Sequence, residues 1–384
     1  MKRWTPLGGV VLAVVSIVLA VGVLELGARV WVRLTWPESR IRLLTTRVER
    51  AGRYIYDANL GYRLAPNLDR PDGTYVVRHN ALGFRGPPLA SRGDSARRRV
   101  VLMGASTVYG IFVDDDSTSA VLLEQELGRR YPDLEVEVIN AGVPGWTSRE
   151  TLRNLTDHIL PLAPDVVVMV DGRNEIFPEV FNGYRPDYEH YRETGYDFRD
   201  ANRRYRRLFR LSRLAMLIVA RDRGHFGFSF RRADPTYGNI RFDNKPTDAE
   251  LVRNARRPGV TEGYRRNLER FITRVRTAGA RPVLSTIPFL AERFGTGVLD
   301  LRDRARVIPV LDTLVMTNNR IVRTVAAELR APLVDAAALG RDEYLRDDCH
   351  FLPAGEQAFA ILLADAVGPL LIADRRDAQP GPSR

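Results

Sequence analysis

A serine, an aspartate and a histidine occupy positions from which they could perform nucleophilic catalysis. Ser106 follows the apolar run 100–103 and precedes a helical pattern. A serine at such a strand end has its hydroxyl among free backbone N–H groups, which suits a nucleophile. Near the C-terminus, Asp347 precedes His350 by three residues, so its carboxylate can hydrogen-bond the imidazole and fix its tautomer. Each motif alone is more often a turn, a helix cap or a core histidine.

Two further motifs offer hydrogen-bond donors. In the segment 139–145 (INAGVPG), Gly142 could bring a bare backbone N–H close to a substrate, because no side chain blocks the approach. In the segment 170–175 (VDGRNE), Asn174 carries a side-chain amide that could point into the same crevice. Read separately, both segments are ordinary tight turns.

Alternating apolar runs and helical patterns predict how these motifs are brought together. The predicted buried strands span residues 100–103, 136–139, 166–170, 282–286 and 332–334. The predicted helices lie near 117–130, 147–159, 262–278, 316–330 and 353–366. Such alternation favours a parallel sheet with helices on both faces, in which functional residues gather beyond the carboxyl ends of the strands.

The order Ser106, Gly142, Asn174 and then Asp347-x-x-His350 resembles the block order of the SGNH/GDSL hydrolase family. The resemblance covers about residues 100–366. It implies an α/β fold, a flavodoxin-like three-layer sandwich with a five-stranded parallel sheet. It also implies that Ser106 attacks an ester carbonyl, that His350 is its base and that Asp347 orients the imidazole. The N–H groups of Ser106 and Gly142 and the Asn174 amide would form the oxyanion hole.

Two positions depart from the family pattern. Ala105 stands where the first block usually has aspartate, and Glu175 stands where the third block usually has aspartate. Neither position is a nucleophile, a base or an oxyanion donor in the implied scheme, so the departures bear on the subfamily. The α/β-hydrolase elbow is the nearest competing pattern, but it requires glycine where this chain has Val108.

The N-terminal region reads as a membrane anchor followed by a lead-in. Residues 7–24 carry no charge and would span roughly 27 Å as a helix, close to the thickness of a bilayer core. We therefore predict an uncleaved single-pass anchor over 1–37, with the catalytic domain exported. Residues 38–99, rich in turn signals, would form a lead-in with short strands. The segment 80–86 (NALGFRG) looks like one that precedes this domain in exported bacterial members of the family, some of which act on cell-surface polysaccharides.

The hydrolase-like domain is predicted over 100–372 and a flexible tail over 373–384. Within the domain, residues 176–261 are too long for a simple connection and predict a helical insertion or cap. Arginines and apolar residues interleave over 203–217. This pattern fits either a basic amphipathic helix on a membrane surface or a packed helix with a solvated arginine face.

Composition limits the other functional classes. The formal net charge is +11, but only Lys2 and Lys245 are lysines, and such an arginine bias often reflects a GC-rich genome. The single cysteine, Cys349, excludes an intrachain disulfide and a cysteine-rich metal site, and is interpreted as a packing residue. The sequence predicts no cofactor, no metal and no nucleic-acid partner.

The main hypothesis is a membrane-tethered serine esterase that deacylates a small molecule, a cell-surface glycan or a lipid through an acyl-enzyme. An O-acyltransferase could use the same site by passing the acyl group to a sugar hydroxyl. A non-catalytic SGNH-like binding protein in the assembly of cell-envelope polysaccharide is a third possibility. The sequence leaves the substrate, the acyl chain length and the oligomeric state open.

Overall fold

A computed structural model describes most of the chain. The described residues are 6–35, 53–57, 59–72, 75–90, 97–191, 196–197, 206–221, 239–240, 244–295, 298–299 and 301–378. They fall into two compact units. The smaller unit lies within Met1–Gly52 and Tyr196–Arg241, and the larger within Arg53–Gly195 and Phe242–Arg384.

Five parallel strands form the sheet of the larger unit. They are β5 (Arg98–Gly104), β6 (Val136–Gly142), β7 (Val166–Val170), β10 (Arg281–Ser285) and β11 (Leu333–Val334). Their order across the sheet is β11-β10-β7-β5-β6, and all neighbours pair in parallel. The predicted five-stranded parallel sheet is therefore confirmed, although its last strand is only two residues long.

Both faces of the sheet are covered because the strands are apolar on both sides. All five residues of β7 are buried, as expected for a central parallel strand rich in valine. One face of the sheet contributes Val100, Leu102 and Val168 to one core cluster, and the opposite face contributes Val101 and Val167 to a second. The register aligns Gly104 with Gly142 and with Val170, so these carboxyl ends lie at one edge of the sheet.

The helices of the larger unit cover these two faces. They are α2 (Ser106–Tyr109), α3 (Ser119–Arg130), α4 (Ser148–Asn154), α5 (Ile176–Val180), α8 (Asp248–Ala255), α9 (Glu262–Thr277), α10 (Arg304–Glu328) and α11 (Pro353–Ala378). Helix α10 begins well before the predicted start at 316, because Asp303 caps it by accepting from the Arg306 N–H and Pro309 is accommodated near its start. Helix α11 continues to Ala378, into the segment predicted as a tail, whose residues 379–384 lie outside the described residues.

The described residues of the lead-in include two antiparallel hairpins in the larger unit, and its predicted first part, 38–52, lies outside the described residues. Strands β1 (Tyr54–Asp57) and β2 (Gly61–Leu64) pair, as do β3 (Asp69–Asp72) and β4 (Tyr75–Arg78). After β4 the chain passes beside the main sheet, where the Arg85 N–H donates to the Asn140 carbonyl at 3.2 Å. The lead-in is thereby attached to the end of β6, close to the carboxyl edge of the sheet.

The smaller unit contains the N-terminal helix α1 (Pro6–Thr35), together with α6 (Arg206–Leu211) and α7 (Arg213–Arg221). A two-residue pair, β8 (Tyr196–Asp197) with β9 (Asn239–Ile240), completes its described elements. Two described helices are long and apolar enough to cross a membrane. In α1 the candidate span lies within Gly9–Thr35, and its most apolar stretch has a mean hydropathy of 2.6 and contains no buried residue. The candidate span in α11, Pro353–Ile372, is half-buried and belongs to the core of the larger unit.

Candidate active site

Ser106 stands on a tight turn at the end of β5. Gly104 has φ +155°, and a Cβ on it would come within 2.3 Å of the Val170 carbonyl oxygen, so only glycine fits between β5 and β7 there. Ser106 begins the four-residue helix α2, which ends at Gly110 in the left-handed conformation with φ +77°. The turn places the Ser106 side chain, which is buried, at the carboxyl edge of the sheet.

The imidazole of His350 connects Ser106 to Asp347. The Ser106 Oγ lies 2.7 Å from the His350 Nε2. The His350 Nδ1 lies 2.7 Å from the Asp347 Oδ2 and 2.9 Å from its Oδ1. The structure therefore brings the three predicted residues, far apart in the sequence, into one hydrogen-bonded chain. Such a chain can pass a proton from a hydroxyl to an imidazole whose charge is balanced by a carboxylate.

The Asp347 carboxylate is held in its charged form. Its Oδ1 accepts from the backbone N–H groups of Cys349 at 3.1 Å and His350 at 2.9 Å. Burial alone would raise the pKa of Asp347, but these bonds and the imidazole outweigh it and lower the pKa to about 2. Burial alone would lower the pKa of His350, and the hydrogen bond and charge of Asp347 act in the opposite direction.

The loop that carries His350 is fixed on several sides. The Cys349 carbonyl accepts from the Thr107 hydroxyl at 3.2 Å, which connects this loop to the residue after the serine. Phe112 meets the His350 ring edge-on, with the ring centroids 5.5 Å apart. The imidazole therefore has little freedom to rotate away from Ser106.

A buried ion pair joins this loop to the end of β7. The Arg173 guanidinium donates to the Asp348 Oδ2 through Nε at 2.9 Å and through Nη2 at 2.6 Å. Arg173 also donates to the Asn174 Oδ1 at 3.3 Å and lies over the rings of Phe177 and Phe294. Sequence reasoning missed this pair, since nothing in the sequence connects position 173 with position 348.

A second buried arginine holds the far end of the nucleophile turn. Arg85 donates to the carbonyls of Tyr109, at 2.7 Å, and Gly110 through Nη1, and to that of Val113 at 2.7 Å through Nη2. Its Nε donates to Asp115 at 2.9 Å. The sequence marked the NALGFRG segment by likeness alone, and the structure shows that its arginine satisfies carbonyls at the end of α2.

The two backbone N–H groups predicted for the oxyanion hole differ in whether they already donate a hydrogen bond. The Ser106 N–H has no hydrogen-bond partner among the described residues, so it is free to donate. The Gly142 N–H already donates to the Asn140 Oδ1 at 3.1 Å. A Cβ on Gly142 would come within 2.4 Å of the Tyr109 nitrogen, so this glycine serves close packing of β6 against α2.

Gly145, unlike Gly142, has a backbone N–H that could donate to a substrate. It has φ +84° in the turn closed by the Trp146 N–H and the Val143 carbonyl, and it is half-buried. Its N–H has no hydrogen-bond partner in the described part of the chain. The next carbonyl, that of Trp146, accepts from the Asn174 Nδ2 at 2.8 Å. The signal available in the sequence was the Pro-Gly pair at 144–145, which predicts a turn with φ above zero at the glycine.

Asn174 and Ser106 line the same small cavity. The cavity has a volume of about 10 Å³, about that needed by one water molecule, and its lining also includes Gly172, Ile287 and Cys349. One hydrogen of the Asn174 amide goes to the Trp146 carbonyl, which leaves the second for a ligand.

Of the two departures from the family pattern, the structure explains the glutamate at position 175 but not the alanine at position 105. Glu175 is fully buried and accepts from the Ser148 N–H at 2.7 Å and the Ser148 hydroxyl at 2.9 Å, at the start of α4. Burial raises its pKa to about 7. Glu175 therefore supports a helix behind the site and does not face the serine's cavity. Nothing in the structure explains the alanine at position 105.

One group of side chains has metal-ligand chemistry. The ligand atoms of Asp347, Asp348, Cys349 and His350 lie within 4.8 Å of one another. Asp347 is engaged by His350, Asp348 by Arg173, and the second His350 nitrogen by Ser106. A metal would have to displace these bonds, so the donor set fits a proton-transfer chain and not a cation site.

The larger unit is thus an α/β protein with a serine, a histidine and an aspartate gathered at the carboxyl edge of its parallel sheet. A model of the GDSL-like Lipase/Acylhydrolase family matches residues 102–358, which is more than half of the chain. The protein belongs to this family, the SGNH/GDSL hydrolases, and is an enzyme that hydrolyses ester bonds.

Several solved structures resemble this chain. An α/β-hydrolase enzyme from the metagenome of Lake Arreo, Spain, is 18% identical, covers 71% of this chain and 96% of its own, and has a TM-score of 0.39. The lipase/acylhydrolase from Enterococcus faecalis is 20% identical, with coverage of 71% and 96% and a TM-score of 0.39. An acetylxylan esterase from Geobacillus stearothermophilus is 14% identical, with coverage of 71% and 94% and a TM-score of 0.38. No curated protein sequence matches the chain.

Proposed function

We propose that this enzyme cleaves acyl esters through a covalent acyl-enzyme on Ser106. The observation that carries the proposal is the hydrogen-bonded chain from the Ser106 Oγ through His350 to Asp347. As the Ser106 Oγ bonds to the ester carbonyl carbon, the His350 Nε2 takes its proton. The imidazolium then protonates the leaving alkoxide, the ester C–O bond breaks, and a water molecule activated by His350 releases the acyl group.

The negative charge on the carbonyl oxygen needs preorganised donors. We assign these to the Ser106 N–H, the Gly145 N–H and the second hydrogen of the Asn174 amide. Gly145 replaces Gly142 in this scheme because the Gly142 N–H is engaged by Asn140. Each donor of this kind typically stabilises the transition state by about 3 kcal/mol.

Labelling with a fluorophosphonate and turnover of a panel of nitrophenyl acyl esters test the assignment. Ser106→Ala should lose the label and lower kcat by at least about 10³-fold. Ser117→Ala is a matched control, because the Ser117 hydroxyl only donates to its neighbour Asp116, and it should keep both. Labelling and turnover that persist in Ser106→Ala would refute the proposal.

The acceptor of the acyl group can be read in the same assay. The enzyme is incubated with an acyl ester in water, with and without an oligosaccharide. Mass spectrometry then follows the free acid and the acylated sugar. We propose hydrolysis as the main outcome. Acylated sugar that depends on Ser106 would instead identify the O-acyltransferase, and sugar binding without any Ser106-dependent turnover would identify a non-catalytic binding protein.

We further propose that α1 anchors the enzyme in a membrane, that the catalytic unit is exported, and that the substrate is an acylated glycan or lipid of the cell envelope. The supporting observation is the exposed apolar surface of α1 from Gly9 onward. Arg29 and Arg33 follow the span, which by charge alone favours a cytoplasmic C-terminus, but long domains cross membranes despite such charges. C-terminal fusions to alkaline phosphatase and to a cytoplasmic reporter distinguish the two orientations, and activity of the cytoplasmic reporter alone would refute export.

A further inference from the structure

Two of the three charged residues in the largely apolar helix α1 contact the junction between α6 and α7. The Glu25 carboxylate accepts from the Ser212 hydroxyl at 2.7 Å and from the backbone N–H groups of Arg213 at 2.9 Å and Leu214 at 3.0 Å. Arg29, one turn further along α1, donates to the Leu211 carbonyl at 2.8 Å and to Glu25 at 2.7 Å. The end of α6 and the start of α7 are thus both fixed to α1.

Apolar packing beside these charges fixes the same contact. Ala28 and Val32 are the buried side chains of α1, and they follow Glu25 by three and seven residues, so all three share one face of the helix. Phe209 of α6 and Met216 of α7 are also buried within this unit. From Gly9 to Leu24 the helix is exposed all round. The helix pair α6–α7 therefore covers only the C-terminal part of α1, beginning where the charge-free run ends.

The remaining surface of the pair is both apolar and basic. Leu208, Leu211 and Ile218 are 43%, 74% and 59% exposed. Arg207 and Arg210 are also exposed and alternate with these leucines along α6. Large exposed apolar side chains next to arginines are unfavourable in water alone, whereas they match a bilayer surface, where acyl chains meet phosphates.

We propose that α6–α7 is an interfacial helix pair that lies on an anionic lipid surface at the end of the α1 span. Leu208, Leu211 and Ile218 enter the boundary between headgroups and acyl chains, and Arg207 and Arg210 bind lipid phosphates. The helix pair packs against α1 and carries positive charge, and both features favour lipid over other partners for its exposed face. The inference rests on the proposed role of α1 as the anchor.

The placement of Glu25 agrees with this arrangement. The charge-free residues 7–24 cover roughly 27 Å of helix, so Glu25 would emerge at the boundary of the hydrocarbon. A carboxylate at that depth needs hydrogen-bond donors. Glu25 has four of them, from Ser212, Arg213, Leu214 and Arg29.

The test uses the full chain in lipid nanodiscs with an environment-sensitive fluorophore on introduced cysteines. Cys349 is buried, so protein without an introduced cysteine reports the background labelling. Labels are placed at Leu211→Cys in the helix pair, at Val18→Cys in α1 and at Leu82→Cys, an exposed leucine of the larger unit. We expect blue-shifted emission and quenching by spin-labelled lipids at positions 211 and 18, and a water-like signal at position 82.

The outcomes separate this inference from the proposed anchor. If position 18 is quenched and position 211 is not, the anchor holds and the interfacial pair is refuted. A blue shift at 211 without lipid quenching would show that protein covers the face, which also overturns the inference. If neither position 18 nor position 211 is quenched, the anchor itself fails.

Lipid composition tests the role of the arginines. In discs with anionic lipid, Arg207→Gln/Arg210→Gln should reduce the quenching at position 211 severalfold, and in discs of neutral lipid it should change little. Arg253→Gln/Arg341→Gln makes the same charge change on exposed arginines of the larger unit and should have no effect. Equal quenching of all variants in anionic discs would refute phosphate binding by Arg207 and Arg210.

Discussion

The segments that carry Ser106 and His350, the proposed nucleophile and base, are each held by a buried arginine, but the two arginines have different partners. Arg85 extends from the lead-in and donates mainly to the neutral carbonyls of Tyr109, Gly110 and Val113, with Asp115 as its one charged partner. Arg173 forms a compact ion pair with Asp348 and lies between aromatic rings. The turn that carries Ser106 is therefore stabilised mainly by hydrogen bonds to its backbone carbonyls. The loop that carries His350 is stabilised mainly by the pairing of two buried charges.

This difference predicts which changes can be repaired. A lost ion pair leaves one uncompensated charge, which a second neutralising substitution removes. When an arginine that donates to backbone carbonyls is removed, the buried carbonyls are left without a donor, and a second substitution cannot remove them. The base loop should therefore show strong coupling between two residues, and the nucleophile turn should not.

The adjacent carboxylates of Asp347 and Asp348 give the largest expected effect. Asp347→Asn should lower kcat by about 10⁴-fold, because an amide cannot stabilise the imidazolium or fix the required tautomer. Its free energy of unfolding should fall less than that of Asp348→Asn, since the Asp347 side chain is 34% exposed and an asparagine oxygen can still accept from the Cys349 and His350 N–H groups. Asp348→Asn should instead destabilise the fold by about 3–5 kcal/mol, because Arg173 stays buried with its charge unpaired. Steady-state kinetics and chemical denaturation of both variants provide the measurements.

The two substitutions are matched controls for each other, since they make the same chemical change one residue apart. Asp348→Asn should retain more activity than Asp347→Asn below its unfolding temperature. A reversed ranking, with Asp348→Asn the more damaging to kcat in folded protein, would contradict the separation of a catalytic carboxylate from a positioning one.

Double-mutant cycles compare the two arginines directly and have the next largest effect. Arg173→Met should destabilise the protein by about 3–5 kcal/mol, and adding Asp348→Asn should recover about 1–2 kcal/mol of that loss. Arg85→Met should cost about 2–4 kcal/mol, mostly from buried carbonyls that lose their donor. Adding Asp115→Asn should recover less than about 0.5 kcal/mol. Equal coupling in the two cycles, measured by denaturant unfolding, would remove the distinction.

The parts of the site that depend on local sequence patterns could be predicted from the sequence. Apolar runs of valine and isoleucine predicted the five strands, and the order of Ser106, Asn174 and Asp347-x-x-His350 predicted which loops meet at the sheet edge. Parallel strands place all their carboxyl ends on the same side, so topology alone brings these loops together. The hydrogen bonds from Ser106 through His350 to Asp347 agree with that expectation.

The supporting residues could not be predicted because their partners are distant in sequence. Arg173 and Asp348 are 175 positions apart, and in a chain with so many arginines nothing distinguishes a buried one from a solvated one. Gly142 and Gly145 posed a different difficulty, since both follow β6 and both could expose an N–H. Only the side chain of Asn140, which folds back to accept from Gly142, separates them.

The smallest expected effect concerns Cys349, which lies between Asp348 and His350 in the sequence. Its Sγ lies 3.9 Å from both ring nitrogens of His350. A thiolate there would raise the pKa of His350, but burial raises the pKa of the Cys349 thiol, so the sulfur carries no charge at neutral pH. Cys349→Ala should therefore change kcat by no more than a few-fold and cost about 1 kcal/mol of stability.

The pH profile of kcat/KM decides whether Asp347 alone sets the basicity of His350. Protonated His350 cannot accept the Ser106 proton, so kcat/KM should rise with pH through the His350 pKa, which the contact with Asp347 raises. Cys349→Ala should leave the midpoint unchanged. Asp347→Asn should move it to lower pH, because burial then dominates and favours the neutral imidazole. A midpoint that falls in Cys349→Ala as far as in Asp347→Asn would show that the base loop is tuned by the sulfur as well as by the carboxylate.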